Sequence, residues 1–172
     1  MVSHRRVRLN QVLREAEGYL ELDMSQHALD ALTRLAETDI ATSSTYYYLR
    51  GEALRATRRF GDALVPLNKA AELAPGNVHV WLALGWCYKR IGEIDLAIES
   101  LERALEVQED EALVYYNLAC YWSIAGNKRQ ALDYLSRSLA LDPQYRDLMV
   151  DESDFDLIRS DPEFQALTIV IV

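Results

Sequence analysis

The chain has 172 residues, of which 50% are hydrophobic and 26% are charged, a composition typical of one ordinary globular domain over residues 1–172. Its net charge is −9, whereas binding to a phosphate backbone requires a concentrated basic face, so we expect no nucleic-acid binding. The most hydrophobic stretch, residues 167–172, is far shorter than the roughly 20 residues that cross a bilayer. No apolar run follows the basic N-terminus, so we expect neither a membrane span nor a secretory signal.

Small and large apolar residues recur with a period of about 34. Ala28, Ala63, Ala97 and Ala131 are separated by 35, 34 and 34 residues. Twelve residues before each alanine stands another small residue, and one helical turn after each alanine stands a leucine. The small residues are Ala16, Gly51, Gly85 and Ala119, and the leucines are Leu32, Leu67, Leu101 and Leu135. A fixed period of this length indicates a repeat protein.

Each unit contains two amphipathic stripes with a break between them, which predicts two helices joined by a tight turn. Gly92 and Gly126 occupy two of these breaks and would supply left-handed turn conformations. Small residues at two places in each unit would let the paired helices approach closely. The spacing predicts helix pairs at 9–22 and 25–38, 44–57 and 60–73, 78–91 and 94–107, and 112–125 and 128–141.

The third unit shows the pattern most completely, as Trp81, Leu84, Gly85, Tyr88, Ala97 and Leu101. This arrangement resembles the tetratricopeptide repeat (TPR) family. The resemblance implies an all-α, right-handed superhelical solenoid of four helix-turn-helix repeats plus a C-terminal capping helix. The expected repeats are residues 9–43, 44–77, 78–111 and 112–145.

The segment after the fourth repeat has a different character and resembles the terminal segment of bacterial TPR arrays. We expect residues 146–167 to cap the apolar end of the stack with Phe155, Leu157, Ile158, Phe164 and Leu167. Asp161 is placed to cap a helix whose first residue is Pro162. The apolar tail, residues 168–172, is β-branched at every position, and we expect it to be extended and sheltered against its own chain or a neighbouring one.

No residues are spaced as an enzyme's machinery requires, so we predict no catalytic residues, no enzyme activity, no cofactor and no metal site. The three histidines have no metal-ligand spacing, and the glycines form no phosphate-binding loop. Cys87 and Cys120 lie in apolar stretches without a Cys-x-x-Cys motif, which predicts packed, reduced thiols in a cytoplasmic protein.

Function is therefore expected to reside on the surface. The first helices of stacked repeats line a concave groove. In this register the middle of the groove combines aromatic and basic side chains, the types that most often contribute binding energy. The predicted groove residues are Tyr48, Arg55, Leu82, Trp86, Lys89, Arg90 and Tyr116.

Two functions fit this prediction. One is a non-enzymatic module that binds a partner protein or peptide in the groove. The other is a self-assembling scaffold, a homo-oligomer that associates through oppositely charged ends. Its basic end would be Arg5, Arg6, Arg8 and Arg14, and its acidic end Asp142, Asp147, Asp151, Glu152, Asp154, Asp156, Asp161 and Glu163.

Overall fold

The periodic segments of the sequence form helices in a computed structural model, which describes residues 2–169. No strand occurs within those residues, so the all-α prediction is confirmed. None of the described helices combines the length and the apolarity needed to cross a bilayer. The helices are α1 Val2–Glu21, α2 Ser25–Leu32, α3 Glu37–Ile40, α4 Ser44–Ala56, α5 Phe60–Leu73, α6 Val78–Ile91, α7 Ile94–Val107, α8 Ala112–Ile124, α9 Lys128–Leu141, α10 Tyr145–Asp151 and α11 Pro162–Thr168, with a 3₁₀ turn at Ser153–Phe155.

The chain divides into two compact units, Met1–Ile91 and Gly92–Val172. In each unit the small residues of the repeat pattern lie in the core, where they allow helices to pack closely. The alanines at the 34-residue period, Ala28, Ala63, Ala97 and Ala131, are all fully buried. Gly51 and Gly85 are buried as well. The sequence pattern therefore identified the buried face of each repeat helix.

The first helix pair differs from the predicted boundaries. Helix α1 begins at Val2 instead of residue 9, because no proline or glycine interrupts its arginine-rich first turns. Helix α2 ends at Leu32 instead of residue 38. The Thr33 hydroxyl donates a hydrogen bond to the Asp30 carbonyl over 2.7 Å, and the amides of Arg34 and Leu35 bond three residues back. These bonds close the last turn, and the short helix α3 follows.

Four turns between successive helices share one backbone feature, a residue with positive φ. Gly92 (φ +87°) and Gly126 (φ +77°) adopt the left-handed conformation, as the sequence predicts. Asp23 (φ +57°) and Arg58 (φ +62°) adopt it too, at the corresponding positions of the first two repeats. A side chain with a Cβ is strained in this conformation, so these two turns carry a local cost that the glycine turns avoid.

Replacing Arg58 with glycine should stabilise the protein. Removing the Cβ relieves the left-handed strain, so we expect the free energy of unfolding to rise by about 1 kcal/mol. Urea denaturation measures this change. Arg58→Ala is the matched control, because it removes the same charge and keeps the Cβ; an equal gain in both variants would assign the effect to charge and refute the strain.

Gly51 marks a close helix contact in the first unit. A Cβ at Gly51 of α4 would lie 2.5 Å from both Cγ and Cδ2 of Leu67 in α5. Leu67 is fully buried, so any shift of its side chain would disturb the surrounding core. The glycine is therefore needed here for packing, in contrast to the glycines of the turns.

The second unit consists of α7, the α8–α9 pair and the C-terminal segment from α10 onward. Phe155 and Phe164 of that segment are buried, with their ring centroids 5.4 Å apart. Phe155 also meets Tyr116 of α8 edge to face at 5.8 Å. Lys128 of α9 forms an ion pair with Asp161 at 2.7 Å. The segment thus packs on the α8–α9 pair, as expected of a cap.

Several details of the cap prediction are confirmed. The Asp161 carboxylate accepts a hydrogen bond from the Glu163 amide over 2.9 Å, and Pro162 is the first residue of α11. Phe155, Ile158 and Phe164 are buried, but Leu157 is 71% exposed and so does not cover the core as predicted. The cap is two short helices and a 3₁₀ turn instead of one helix. The sequence predicts an extended, sheltered tail at residues 168–172, but Thr168 ends α11 and Ile169 is 63% exposed, while residues 170–172 lie outside the described residues.

Candidate functional site

Helices α4, α5 and α6 bring an aromatic and cationic cluster together in the first unit. Trp86 of α6 and Phe60 at the start of α5 meet edge to face, with ring centroids 5.0 Å apart. Both rings are half-buried. We call Tyr48, Arg55, Phe60, Trp86 and Arg90 the aromatic patch. Its two rings present partly exposed apolar surface, which is the kind of surface that binds partner side chains.

Two guanidinium groups lie over the rings of the aromatic patch. The Cζ atom of Arg55 is 5.1 Å from the Trp86 ring centroid. The Cζ atom of Arg90 is 5.4 Å from the Trp86 centroid and 5.1 Å from that of Phe60. These distances are within the range of cation–π attraction. The arrangement places both cations beside the apolar rings, with Arg55 half-buried and Arg90 exposed to solvent.

Arg55 is held by a two-point contact with Glu52. Its Nε and one terminal nitrogen donate to the two carboxylate oxygens over 2.8 and 2.7 Å. This hydrogen bonding raises the pKa of Arg55, so the guanidinium stays charged. Because Glu52 neutralises Arg55 locally, Arg90 is the better candidate for contacting an acidic group of a ligand.

Tyr48 borders Arg55 and Glu52. Burial raises the pKa of the Tyr48 hydroxyl to about 12, and the charge of Glu52 raises it further while Arg55 opposes the shift. The hydroxyl is therefore protonated at neutral pH and available as a hydrogen-bond donor. Within the patch Tyr48 thus adds a neutral polar group next to Arg55.

Cys87 lies beneath this region and is fully buried. Burial raises the pKa of its thiol from 9.0 to about 11, although the charge of Arg55 opposes the shift. Because alkylation requires the thiolate, we expect Cys87 in the native protein at pH 8 to react at least about a hundredfold more slowly than in urea. Iodoacetamide labelling followed by peptide mass spectrometry measures this rate. Equal rates in native and unfolded protein would contradict the protected thiol.

The structure brings some of the predicted groove residues together and buries one of them. Tyr48, Arg55, Trp86 and Arg90 lie in the first unit within the aromatic patch. Leu82 and Lys89 are half-buried on α6. Tyr116 belongs to the second unit and is only 6% exposed, because Tyr145 covers its ring at a centroid distance of 4.9 Å. Tyr116 is therefore not part of an exposed site.

Phe60 is not among the predicted groove residues, because the prediction places the groove on the first helix of each repeat. Phe60 begins a second helix instead. The signal that was available is the apolar residue at the start of the second helix in two successive units, Phe60 and Ile94.

Comparisons with known proteins agree with this architecture. The profile of the tetratricopeptide repeat family matches residues 54–119. Human tetratricopeptide repeat protein 7A is 28% identical over 106 residues, 62% of this chain. Anaphase-promoting complex subunit 3 of Dictyostelium discoideum is 32% identical over 83 residues, 48% of this chain. The chain spans only 12% and 8% of the lengths of these two relatives.

Solved structures show the same fold. A crystal structure of MamA has a TM-score of 0.74 and 21% identity, and the match covers 81% of each chain. MamA of Desulfovibrio magneticus RS-1 has a TM-score of 0.72 and 15% identity, over 79% of this chain and 76% of that one. The repeat period, the paired helices and these matches together show the tetratricopeptide repeat fold, and the family profile itself matches residues 54–119 of the chain.

Proposed function

We propose that this chain is a non-enzymatic module that binds a protein or peptide segment on the aromatic patch. The observation that carries the proposal is the convergence of two half-buried rings, 5.0 Å apart, with two guanidinium groups, of which Arg55 lies 5.1 Å from the Trp86 ring and Arg90 lies 5.1 Å from the Phe60 ring. Tryptophan and arginine are the residue types most enriched at binding hot spots. The proposed ligand presents an apolar side chain to Trp86 and Phe60 and an adjacent carboxylate to Arg90.

The compartment is part of the same proposal. Cys87 is a free and fully buried thiol, which favours a reducing compartment such as the cytoplasm.

The test is to select peptides that bind the chain and then to measure their affinities for matched variants. Peptides from a random library are selected on the wild-type chain, and their affinities are then measured for Trp86→Ala. We expect binding to weaken by about 2 kcal/mol or more, roughly 30-fold, because Trp86 is the central anchor.

Trp81→Ala is the matched control, since Trp81 lies on the same helix but donates its Nε1 hydrogen bond to the Pro75 carbonyl, over 2.8 Å. Circular dichroism confirms that both variants are folded. Selected peptides that bind wild type and Trp86→Ala equally well would refute the site. An equal loss in both variants would attribute the loss to damaged folding.

A second candidate function, self-assembly through charged ends, rests on a different observation. Arg5, Arg6, Arg8 and Arg14 are all exposed on α1. Exposed acidic residues of the cap, such as Asp147 and Asp151, would be their partners in a neighbouring copy. Light scattering at two salt concentrations distinguishes the two candidates by measuring the molar mass in solution. Assembly through exposed charges weakens as salt increases, so the mass of an oligomer would fall. A monomer at both salt concentrations would support the binding module alone.

A further inference from the structure

Three potential metal ligands converge in the second unit, apart from the aromatic patch. The Cys120 thiol of α8 and the carboxylates of Glu152 and Asp154 each offer one ligand atom, and all three atoms lie within 4.8 Å of one another. Cys120 is 2% exposed, whereas the two acidic residues are half-buried. The cluster therefore combines a buried sulfur with two oxygens that solvent can reach.

The Tyr116 hydroxyl is an independent indication that something is bound there. This oxygen is buried and has no hydrogen-bond partner within the described part of the chain. A buried hydroxyl without a partner is costly, so it requires an explanation. Tyr116 precedes Cys120 by one helical turn on α8. Burial is the main cause that raises the pKa of the Tyr116 hydroxyl, and the charges of Cys120, Glu152 and Asp154 raise this pKa further. The hydroxyl thus lies beside the three-residue cluster.

Local structure holds the Glu152 carboxylate and the backbone of the turn in place. One oxygen of Glu152 accepts a hydrogen bond from the Asp154 amide over 3.2 Å, which caps the 3₁₀ turn. The second oxygen of Glu152 remains for another ligand. The Arg159 guanidinium donates to the Glu152 carbonyl over 2.6 Å and so fixes the backbone of the same turn. These contacts reduce the conformational freedom that the Glu152 side chain would lose on binding an ion.

We propose that Cys120, Glu152 and Asp154 bind a divalent transition-metal ion, with Zn²⁺ as the best fit. Zn²⁺ binds thiolate and carboxylate ligands at about 2.0–2.3 Å and is usually four-coordinate, with water as one possible ligand. Mg²⁺ and Ca²⁺ require more oxygen ligands and avoid sulfur. On binding, the Cys120 S–H bond breaks, its proton leaves to solvent, and the thiolate bonds to the metal. The Tyr116 hydroxyl then donates its hydrogen bond to an acidic ligand or a metal-bound water.

A metal ion bound by these three residues would link the last repeat to its cap. Cys120 lies on α8, and both carboxylates lie at the 3₁₀ turn that packs against it. A metal ion at this place would hold the turn to the helix, so binding should raise the melting temperature of the protein. This site is separate from the aromatic patch, and the two proposals stand or fall independently.

The experiment is a metal titration of the reduced, chelator-treated chain of 172 residues. Calorimetry with Zn²⁺ should show one equivalent bound with a dissociation constant of about 10 μM or lower and release of a proton. Co²⁺ should give the thiolate-to-metal charge-transfer band, and Mg²⁺ should not compete.

Cys120→Ser and Asp154→Asn should each weaken Zn²⁺ binding about a hundredfold, whereas Cys87→Ser, the other buried cysteine, should leave it unchanged. Asp154→Asn changes a half-exposed residue and tests the site even if Cys120→Ser fails to fold. Absence of Zn²⁺ binding below millimolar concentration, or of the charge-transfer band, would overturn the proposal. An equal loss in Cys87→Ser would overturn it too.

Discussion

Phe155→Ala is expected to lower the free energy of unfolding of the second unit by about 3–5 kcal/mol. Phe155 is completely buried and contacts both Tyr116 of α8 and Phe164 of α11. Truncation would remove the apolar surface that joins the cap to the repeat and leave a cavity beneath it. Denaturation in urea, followed by the near-ultraviolet signal of the tyrosines, measures the change.

Leu157→Ala is the matched control for this prediction. Leu157 lies two residues further along the same cap, and it is 71% exposed. Its truncation should change stability by no more than about 0.5 kcal/mol. A loss in Leu157→Ala comparable to that in Phe155→Ala would contradict the assigned packing of the cap.

Gly51→Leu should lower the free energy of unfolding of the first unit by about 2–3 kcal/mol. Even the first carbon of the new side chain would lie 2.5 Å from Leu67, so either the side chain of Leu67 or the two helices must move. The better helix propensity of leucine offsets only about 1 kcal/mol of this cost. Thermal and urea denaturation measure the result.

Gly18→Leu separates overpacking from helix propensity. Gly18 lies inside helix α1, and no atom would approach a Cβ there within 4 Å. The substitution gains the same propensity without the collision, so it should be neutral or stabilising. Destabilisation of both variants to the same extent would show that the contact between α4 and α5 does not require glycine.

The repeat fold could be predicted because it depends on spacing. Alanines 34 or 35 residues apart fix which face of each helix is buried, and six of the eight predicted repeat helices begin and end within one residue of the observed bounds. The first helix pair could not be predicted as well. The end of α2 depends on a side-chain hydrogen bond from Thr33, which periodicity does not register.

The candidate site was only partly predictable. Trp86 and Arg90 could be placed on one helix from their spacing, but Phe60 reaches them from another helix through tertiary packing. Tyr116 has the pattern of a groove residue, and its burial depends on Tyr145 of the cap, which follows no repeat. Cys120 and Glu152 are 32 residues apart and meet only after folding, so no motif indicates them.

The position of Asp161 makes one carboxylate responsible for two connections of the cap. It accepts the amide hydrogen bond that starts α11, and it forms the ion pair with Lys128 of α9. The Lys128 contact, followed by the backbone hydrogen bond, lowers the pKa of Asp161 below its usual value. The stabilisation is therefore present above the pKa of the unfolded chain and is lost as the pH falls through the lower pKa of the folded one. Protonation of Asp161 in acid thus weakens both the hydrogen bond that caps α11 and the ion pair that connects α11 to α9. A single titration therefore loosens the packing of the C-terminal cap on the last repeat.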